Sequence, residues 1–157
     1  MNRKVGFFVV ASLVIFFLIV VCYWHNVSGD LVRVIRVVDG DTIVIEGKIK
    51  VRYIGIDTPE TKDPRRLIQY FGKEAAAKNK ELVDGKRVRL ERDVQDKDKY
   101  GRLLRYVWVG GKFVNLELVK QGYARAKPYP PNVKYKNLFR ESEKEAKENK
   151  KGLWGKG

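Results

Sequence analysis

A series of short β-rich runs, each bounded by turn residues, constrains the fold of this chain more than any other feature. Val32 to Val38 leads into Asp39-Gly40, Thr42 to Glu46 into Gly47, and Lys48 to Ile56 follows. Arg87 to Glu91 comes after Asp84-Gly85, and Leu103 to Val109 and Lys112 to Val114 flank Gly110-Gly111, a two-residue hairpin signal. Helical patterns interrupt and then close the series. Gln69 to Val83 carries Phe71, Ala75, Ala76 and Leu82 at helical spacing. Asn115 is placed to cap a short helix, Leu116 to Gln121, that ends at Gly122. Tyr135 to Lys150 is strongly charged, with Leu138, Phe139, Ser142 and Ala146 on one face. The expected class is α+β, mainly β: a five-stranded barrel of the OB type with about three helices. A generic α+β sheet is the alternative.

Cysteine and histidine usage narrows the chemistry. The one cysteine, Cys22, and the one histidine, His25, both lie near the N-terminus. No intrachain disulfide is possible, so the fold must stand on its core. Enzymes built on Cys–His, Ser–His–Asp or paired histidines are excluded from the body of the chain. A metal there has to be held by oxygen, which points to calcium or magnesium. The net charge of +14 makes a polyanion such as nucleic acid the first partner to consider. An anionic membrane surface is the second, and a merely solvated lysine surface is the plain explanation.

Residues 1–29 read as a membrane anchor or signal segment, and residues 30–157 as the remaining domain. Arg3-Lys4 precedes an almost wholly apolar stretch from Val5 to Trp24, the length that matches a bilayer core. The stretch ends Val20-Val21-Cys22-Tyr23-Trp24, without a small-residue cleavage site, and Tyr23 and Trp24 suit an interfacial belt. The expectation is a single-pass protein of the cell membrane with its domain outside the cytoplasm; secretion after cleavage is the alternative.

Three polar clusters carry possible chemistry. Asp39-Gly40-Asp41-Thr42, taken alone, is a plain hairpin turn. Asp57-Thr58-Pro59-Glu60-Thr61, alone, is a turn or helix start. Asp98-Lys99-Tyr100-Gly101-Arg102, alone, is a solvated loop. Arg52 adds a fourth signal. Ile49, Val51 and Tyr53 alternate with Lys48, Lys50 and Arg52, and the alternation then breaks at Ile54 and Ile56. That break puts Arg52 where solvent meets core, just before Asp57 and Glu60. Phosphodiester hydrolysis would give one explanation to all of them. Asp41 and Asp57, with the Thr58 carbonyl, offer hard metal ligands. Glu60 can activate water, and Arg52 and Arg102 can grip phosphate oxygens with forked donors.

In this arrangement the chain resembles the thermonuclease, or staphylococcal nuclease-like, family. The anchors stand in family order: Val38-Asp39-Gly40-Asp41-Thr42; Val51-Arg52 with Gly55-Ile56-Asp57-Thr58-Pro59-Glu60-Thr61; and Asp98-Lys99-Tyr100-Gly101-Arg102. Tyr70-Gly72-Glu74-Ala75, Val114-Asn115-Leu118-Val119-Gln121-Gly122 and Gly152-Leu153-Trp154 agree as well. The resemblance implies an OB-fold barrel with three helices and hydrolysis of DNA and RNA that leaves 3′-phosphate ends. It implies Ca2+ on Asp41, Asp57 and the Thr58 carbonyl, with Asp39 nearby. Glu60 is then the general base, Arg52 and Arg102 are phosphate and transition-state ligands, and Lys99, Tyr100 and Tyr129 contact substrate. Lys127-Pro128-Tyr129-Pro130-Pro131-Asn132 departs from the family pattern, in which two tyrosines lie close together.

A non-catalytic barrel that only binds nucleic acid would show gaps among Asp41, Asp57, Glu60, Arg52 and Arg102, and none is present. A basic membrane-surface protein would account for the charge and the anchor but not for the paired acids. No obligate protein partner is expected, and the chain is expected to act as a monomer.

Overall fold

The computed structural model describes residues 31–59 and 71–155. The expected membrane segment, Cys22, His25, Glu60, Thr61 and Tyr70 lie outside them. Among the described residues no helix is long and apolar enough to cross a membrane.

Five strands form a closed barrel. They are β1 (Leu31–Asp39), β2 (Thr42–Ile45), β3 (Ile49–Tyr53), β5 (Arg87–Glu91) and β6 (Leu103–Val109), with the short β4 (Ile56–Asp57) between β3 and β5. β1 pairs antiparallel with β2 and with β5, β2 with β3, and β5 with β6. The ring shuts through a parallel pairing of β3 with β6, Val51 opposite Leu103 and Arg52 opposite Leu104. β7 (Lys112–Phe113) continues from β6 through Gly110 and Gly111, both at positive φ, the conformation the two-residue hairpin requires. β8 (Arg125–Ala126) pairs with β4 in a separate two-stranded ribbon. This is the barrel topology expected from the run of short strands.

Among the described residues three α-helices cover the barrel: α1 (Gly72–Val83), α2 (Val114–Lys120) and α3 (Lys136–Glu148). Helix α1 buries Ala75, Leu82 and Val83, close to the face its periodicity predicts, but Asn79 is buried with them. The core gathers Val34, Ile43, Val51, Val88 and Val107 from the strands with Leu118 and Phe139 from the helices. Burying an aromatic ring of the size of Phe139 contributes roughly 1.5–3 kcal/mol.

Several local expectations are corrected. The run from Lys48 to Ile56 is not one bent strand. It ends at Tyr53, turns through Ile54-Gly55 with Gly55 at φ 79, and restarts as β4. The alternation breaks there because the chain changes sheet. A Cβ on Gly55 would lie 2.5 Å from Phe139 Cε2, so α3 seats directly on this turn. Ile49, expected inside, is exposed at the start of β3, and Leu138 lies on the outer side of α3. Asn115 is no cap. It sits inside α2, fully buried, accepting from the Val107 backbone N–H at 2.9 Å and donating to the Ile54 carbonyl at 3.0 Å. One side chain thereby joins β6 to the turn that precedes Asp57.

The chain's end closes on itself. Leu153 N–H donates to the Gly122 carbonyl at 2.8 Å, and a Cβ on Gly122 would lie 2.3 Å from the Lys151 carbonyl oxygen. Gly152 faces the same segment, a Cβ there meeting Gly122 O at 2.4 Å. Two glycines at positive φ let the backbones touch.

Replacing Asn115 with Ala strands one buried N–H and one buried carbonyl. Urea unfolding should show a loss of about 2–4 kcal/mol; a loss below about 1 kcal/mol would mean that these backbone groups find other partners.

Candidate active site

Asp39-Gly40-Asp41-Thr42 is the hairpin turn that its composition suggests: Asp39 pairs with Thr42 where β1 meets β2. The turn is also built to touch a distant segment. A Cβ on Gly40 would stand 2.7 Å from Thr58 Oγ1, so only glycine admits Thr58 this closely. The approach places Asp41 Oδ2 2.9 Å from the Thr58 backbone N–H, which donates to it. Asp41 Oδ1 accepts from the Thr42 hydroxyl at 3.1 Å, and Asp39 Oδ1 accepts from the Asp41 N–H at 3.2 Å. Asn79 supports the turn from below. Its amide donates to the Asp39 carbonyl at 2.9 Å, and its oxygen accepts from the Tyr53 hydroxyl at 2.9 Å.

Arg52 projects from β3 between the two acid clusters, its side chain 15% exposed. Nη2 donates to Asp57 Oδ1 at 2.8 Å and to the Ile56 carbonyl at 3.3 Å. Nη1 forms an ion pair with Asp41 Oδ2. One guanidinium therefore bridges carboxylates from two separate motifs. Burial pulls the pKa of Arg52 below its ordinary value; Asp57 and Asp39 oppose this, and Arg102 adds to the lowering. Arginine stays protonated under such a shift, whereas lysine is more easily neutralised. The coupling to Arg102 also puts the second predicted arginine within electrostatic reach of the first.

Arg102 is held by its own loop. Asp98 accepts from the backbone N–H of Tyr100 at 2.9 Å, from that of Arg102 at 3.0 Å, and from Arg102 Nε at 2.6 Å. The grip uses Nε and does not use the two Nη groups. Burial works against the charge on Asp98, yet these bonds hold its carboxyl below its ordinary value. Gly101, at φ 78, supplies the left-handed step. The charge run is a solvated loop, with Lys97, Lys99, Tyr100 and Gly101 exposed, and it is also a tight, internally bonded turn.

The remaining predicted residues divide between two clefts. Tyr129 shares a cleft with Arg52, Ile56, Leu104, Gln95 and Asn132. Gln95 N–H donates to Asn132 Oδ1 at 2.7 Å, and Asn132 Nδ2 returns a bond to the Gln95 carbonyl at 3.1 Å, clasping two loops at the rim. Tyr100 is 72% exposed, with Lys99 Nζ 5.1 Å and Arg102 Cζ 5.5 Å from its ring centroid. It lines a second groove with Arg102.

The structure thus brings Asp41, Asp57, Thr58 and Arg52 together, with Arg102 near and Tyr129 on the same wall as Arg52. Glu60 lies outside the described residues. Among those described, no group of three or more His, Cys, Asp or Glu side chains converges as a metal cluster. The oxygen donors that meet are the carboxylates of Asp41 and Asp57, with Thr58 against Asp41. Sequence reasoning missed Lys127, whose Nζ donates to Asp57 Oδ2 at 2.8 Å. That bond, then one to Tyr129, raises its pKa against burial. The signal was visible as a lysine in the stretch that departs from the family pattern. Asn79 and Asn132 were missed as well; a polar residue on an otherwise apolar helix face was the clue to the first.

Paired carboxylates beside two arginines suit a reaction at a phosphodiester, where negative charge grows on oxygen. Comparison with known proteins agrees. Residues 50–156 match the family model described as "Staphylococcal nuclease homologue". The chain is 47% identical over 132 residues to a thermonuclease of Staphylococcus intermedius, covering 82% of this chain and 79% of that protein. It is 46% identical over 132 residues to the thermonuclease of Staphylococcus hyicus, with 82% and 78% covered. It is 50% identical over 126 residues to endonuclease YncB of Bacillus subtilis (strain 168), with 77% and 60% covered.

The Asp98 turn sets a pH dependence. Its depressed pKa means that its stabilisation is fully present above about pH 4, the unfolded value, and is lost as pH falls through the lower folded value. Urea unfolding between pH 5 and pH 2 should therefore show a steeper acid loss for the native chain than for Asp98→Asn. Parallel acid profiles for the two would show that Asp98 contributes no linked stability.

Proposed function

The chain belongs to the staphylococcal nuclease homologue family and is a nuclease, and on that premise we propose a calcium-dependent endonuclease that hydrolyses DNA and RNA and leaves 3′-phosphate ends. The observation that carries this reading is the bridging of Asp41 and Asp57 by Arg52, with Arg102 in electrostatic reach. Acids from two separated motifs meet on one arginine, with the arginine of a third in electrostatic reach, an arrangement that suits a phosphoryl site.

The donor chemistry fits Ca2+. Asp41, Asp57 and the Thr58 carbonyl are hard oxygen ligands, and the described residues include no Cys or His. When bound, the ion supplies positive charge that polarises the phosphodiester. The protein's own groups do the rest. Arg52 and Arg102 hold the non-bridging oxygens, and their forked, permanently charged donors strengthen as charge develops. Glu60 orients and deprotonates the attacking water, a role worth roughly 10²–10⁴-fold. The bond to the 5′ oxygen breaks, and the phosphate stays on the 3′ side. Tyr129, on the wall beside Arg52, and Lys99 with Tyr100 contact the nucleotide. Lys127 offsets the charge of Asp57, one of the residues that would hold Ca2+. The apolar run from Val5 to Trp24 holds the enzyme to the cell membrane with residues 30–157 outside the cytoplasm, and the chain works as a monomer.

The full chain, solubilised in mild detergent, should cut plasmid DNA and RNA in calcium and stop in chelator. Undiminished cleavage in chelator would sink the metal requirement. Glu60→Gln should lower the rate roughly 10²–10⁴-fold while oligonucleotide binding persists. Near-native rates for that variant would remove Glu60 from its role.

A further inference from the structure

The second groove has a use that the chemistry at Arg52 leaves open. It runs between the start of β3 and the 97–103 loop, and is lined by Lys48, Lys50, Lys97, Tyr100 and Arg102. The parallel register that sets Val51 beside Leu103 brings these two segments together.

Its lysines, Lys48, Lys50 and Lys97, make no ion pair among the described residues. The nearby acids are committed elsewhere. Asp98 is bound to Arg102, and Asp96, though within electrostatic reach of Lys97, is bonded to Arg105. Glu46, two residues before Lys48, is not among the lining residues. Three lysines without an ion-pair partner among the described residues, gathered on one concave surface, attract a polyanion.

The spacing fits a strand of nucleic acid. Lys50 and Arg52 are two residues apart on β3 and so share a face, about 6.6 Å apart along the strand. That is the scale of the step between successive phosphates of an extended single strand. Tyr100, largely exposed at the rim, offers a ring on which a base can stack. A duplex would shield its bases from that ring, so the groove favours a single strand. Arg102 belongs to this groove and is electrostatically coupled to Arg52, which lines the other cleft. The two clefts adjoin across β6, since Leu103 lines this groove and Leu104, opposite Arg52, lines the other.

We propose that the groove of Lys48, Lys50 and Lys97 is an extended subsite for single-stranded nucleic acid, taking the phosphates next to the scissile one on the side away from Tyr129. The proposal rests on the nuclease reading. It makes the enzyme sensitive to substrate length: a minimal substrate ends before the groove, and a longer strand fills it.

The test compares the native full chain with Lys48→Glu/Lys50→Glu/Lys97→Glu and with the milder triple alanine variant. Substrates are a single-stranded 12-mer and a dinucleotide, both in calcium. On the 12-mer, kcat/KM should fall at least tenfold for the glutamate variant, mainly through KM, and less for the alanine variant. On the dinucleotide both variants should stay within about twofold of native, which also shows that they are folded. The slope of log affinity for the 12-mer against log salt should shrink by about 2 in the alanine variant, roughly 0.7 for each phosphate contact removed. Equal losses on both substrates, or none on either, would overturn the subsite. So would loss of binding to phosphatidylserine vesicles with oligonucleotide kinetics unchanged, which would assign the lysines to a membrane. No cleavage by the native chain would instead defeat the nuclease reading itself.

Discussion

The parallel pairing of β3 with β6 is the constraint on which the rest depends. Four antiparallel pairings make a curved sheet; this one makes it a closed barrel. Closure sets Arg52 opposite Leu104, so the loop that carries Asp98 and Arg102 must lie beside the strand that carries Lys50 and Arg52. A slip of one residue in this register would turn Arg52 toward the core and Val51 toward solvent. The fully buried Val51 and Tyr53 oppose that slip, because each would lose its place in the interior.

On this frame the site is held by a balance of charge. Two carboxylates close enough to share one guanidinium repel each other, and Arg52 with Lys127 offsets that repulsion. Burying charges this deeply costs free energy, and the cost is met by hydrogen bonds from Thr42, Thr58 and the Asp39–Thr42 turn. The site is therefore polar and largely hydrogen-bonded, with Arg52 Nη1 held by its ion pair to Asp41 alone. Arg102 also stands ready for an added anion, since the grip of Asp98 uses only one edge of its fork.

Much of this could be read in the sequence. The short runs with their turn signals marked the five barrel strands, and Gly110-Gly111 marked its hairpin because φ > 0 leaves few other residues. The order of the motifs pointed to acids that do meet on Arg52. Each bland local reading concerned only a few residues, and for Asp39 to Thr42 it was true: the segment is a hairpin turn as well as a site element. What the sequence could not show was long-range placement. Asn115 was read as a cap because capping is the local use of Asn; its actual partners are Val107 and the distant Ile54. The strand boundary at Tyr53 was missed because Ile54 and Ile56 are equally apolar in either sheet. Lys127 was missed because its partner lies seventy positions away.

The closing contact between Gly122 and the Gly152 segment bears on how the interior is kept shut. Phe139 and Ala146 complete the interior from α3, and the Leu153 N–H bond to the Gly122 carbonyl ties the segment after α3 back to the end of α2. The ring of Phe139 lies against the turn at Gly55, between β3 and β4. Prising α3 from the barrel would therefore uncover that turn and open the interior at the same stroke.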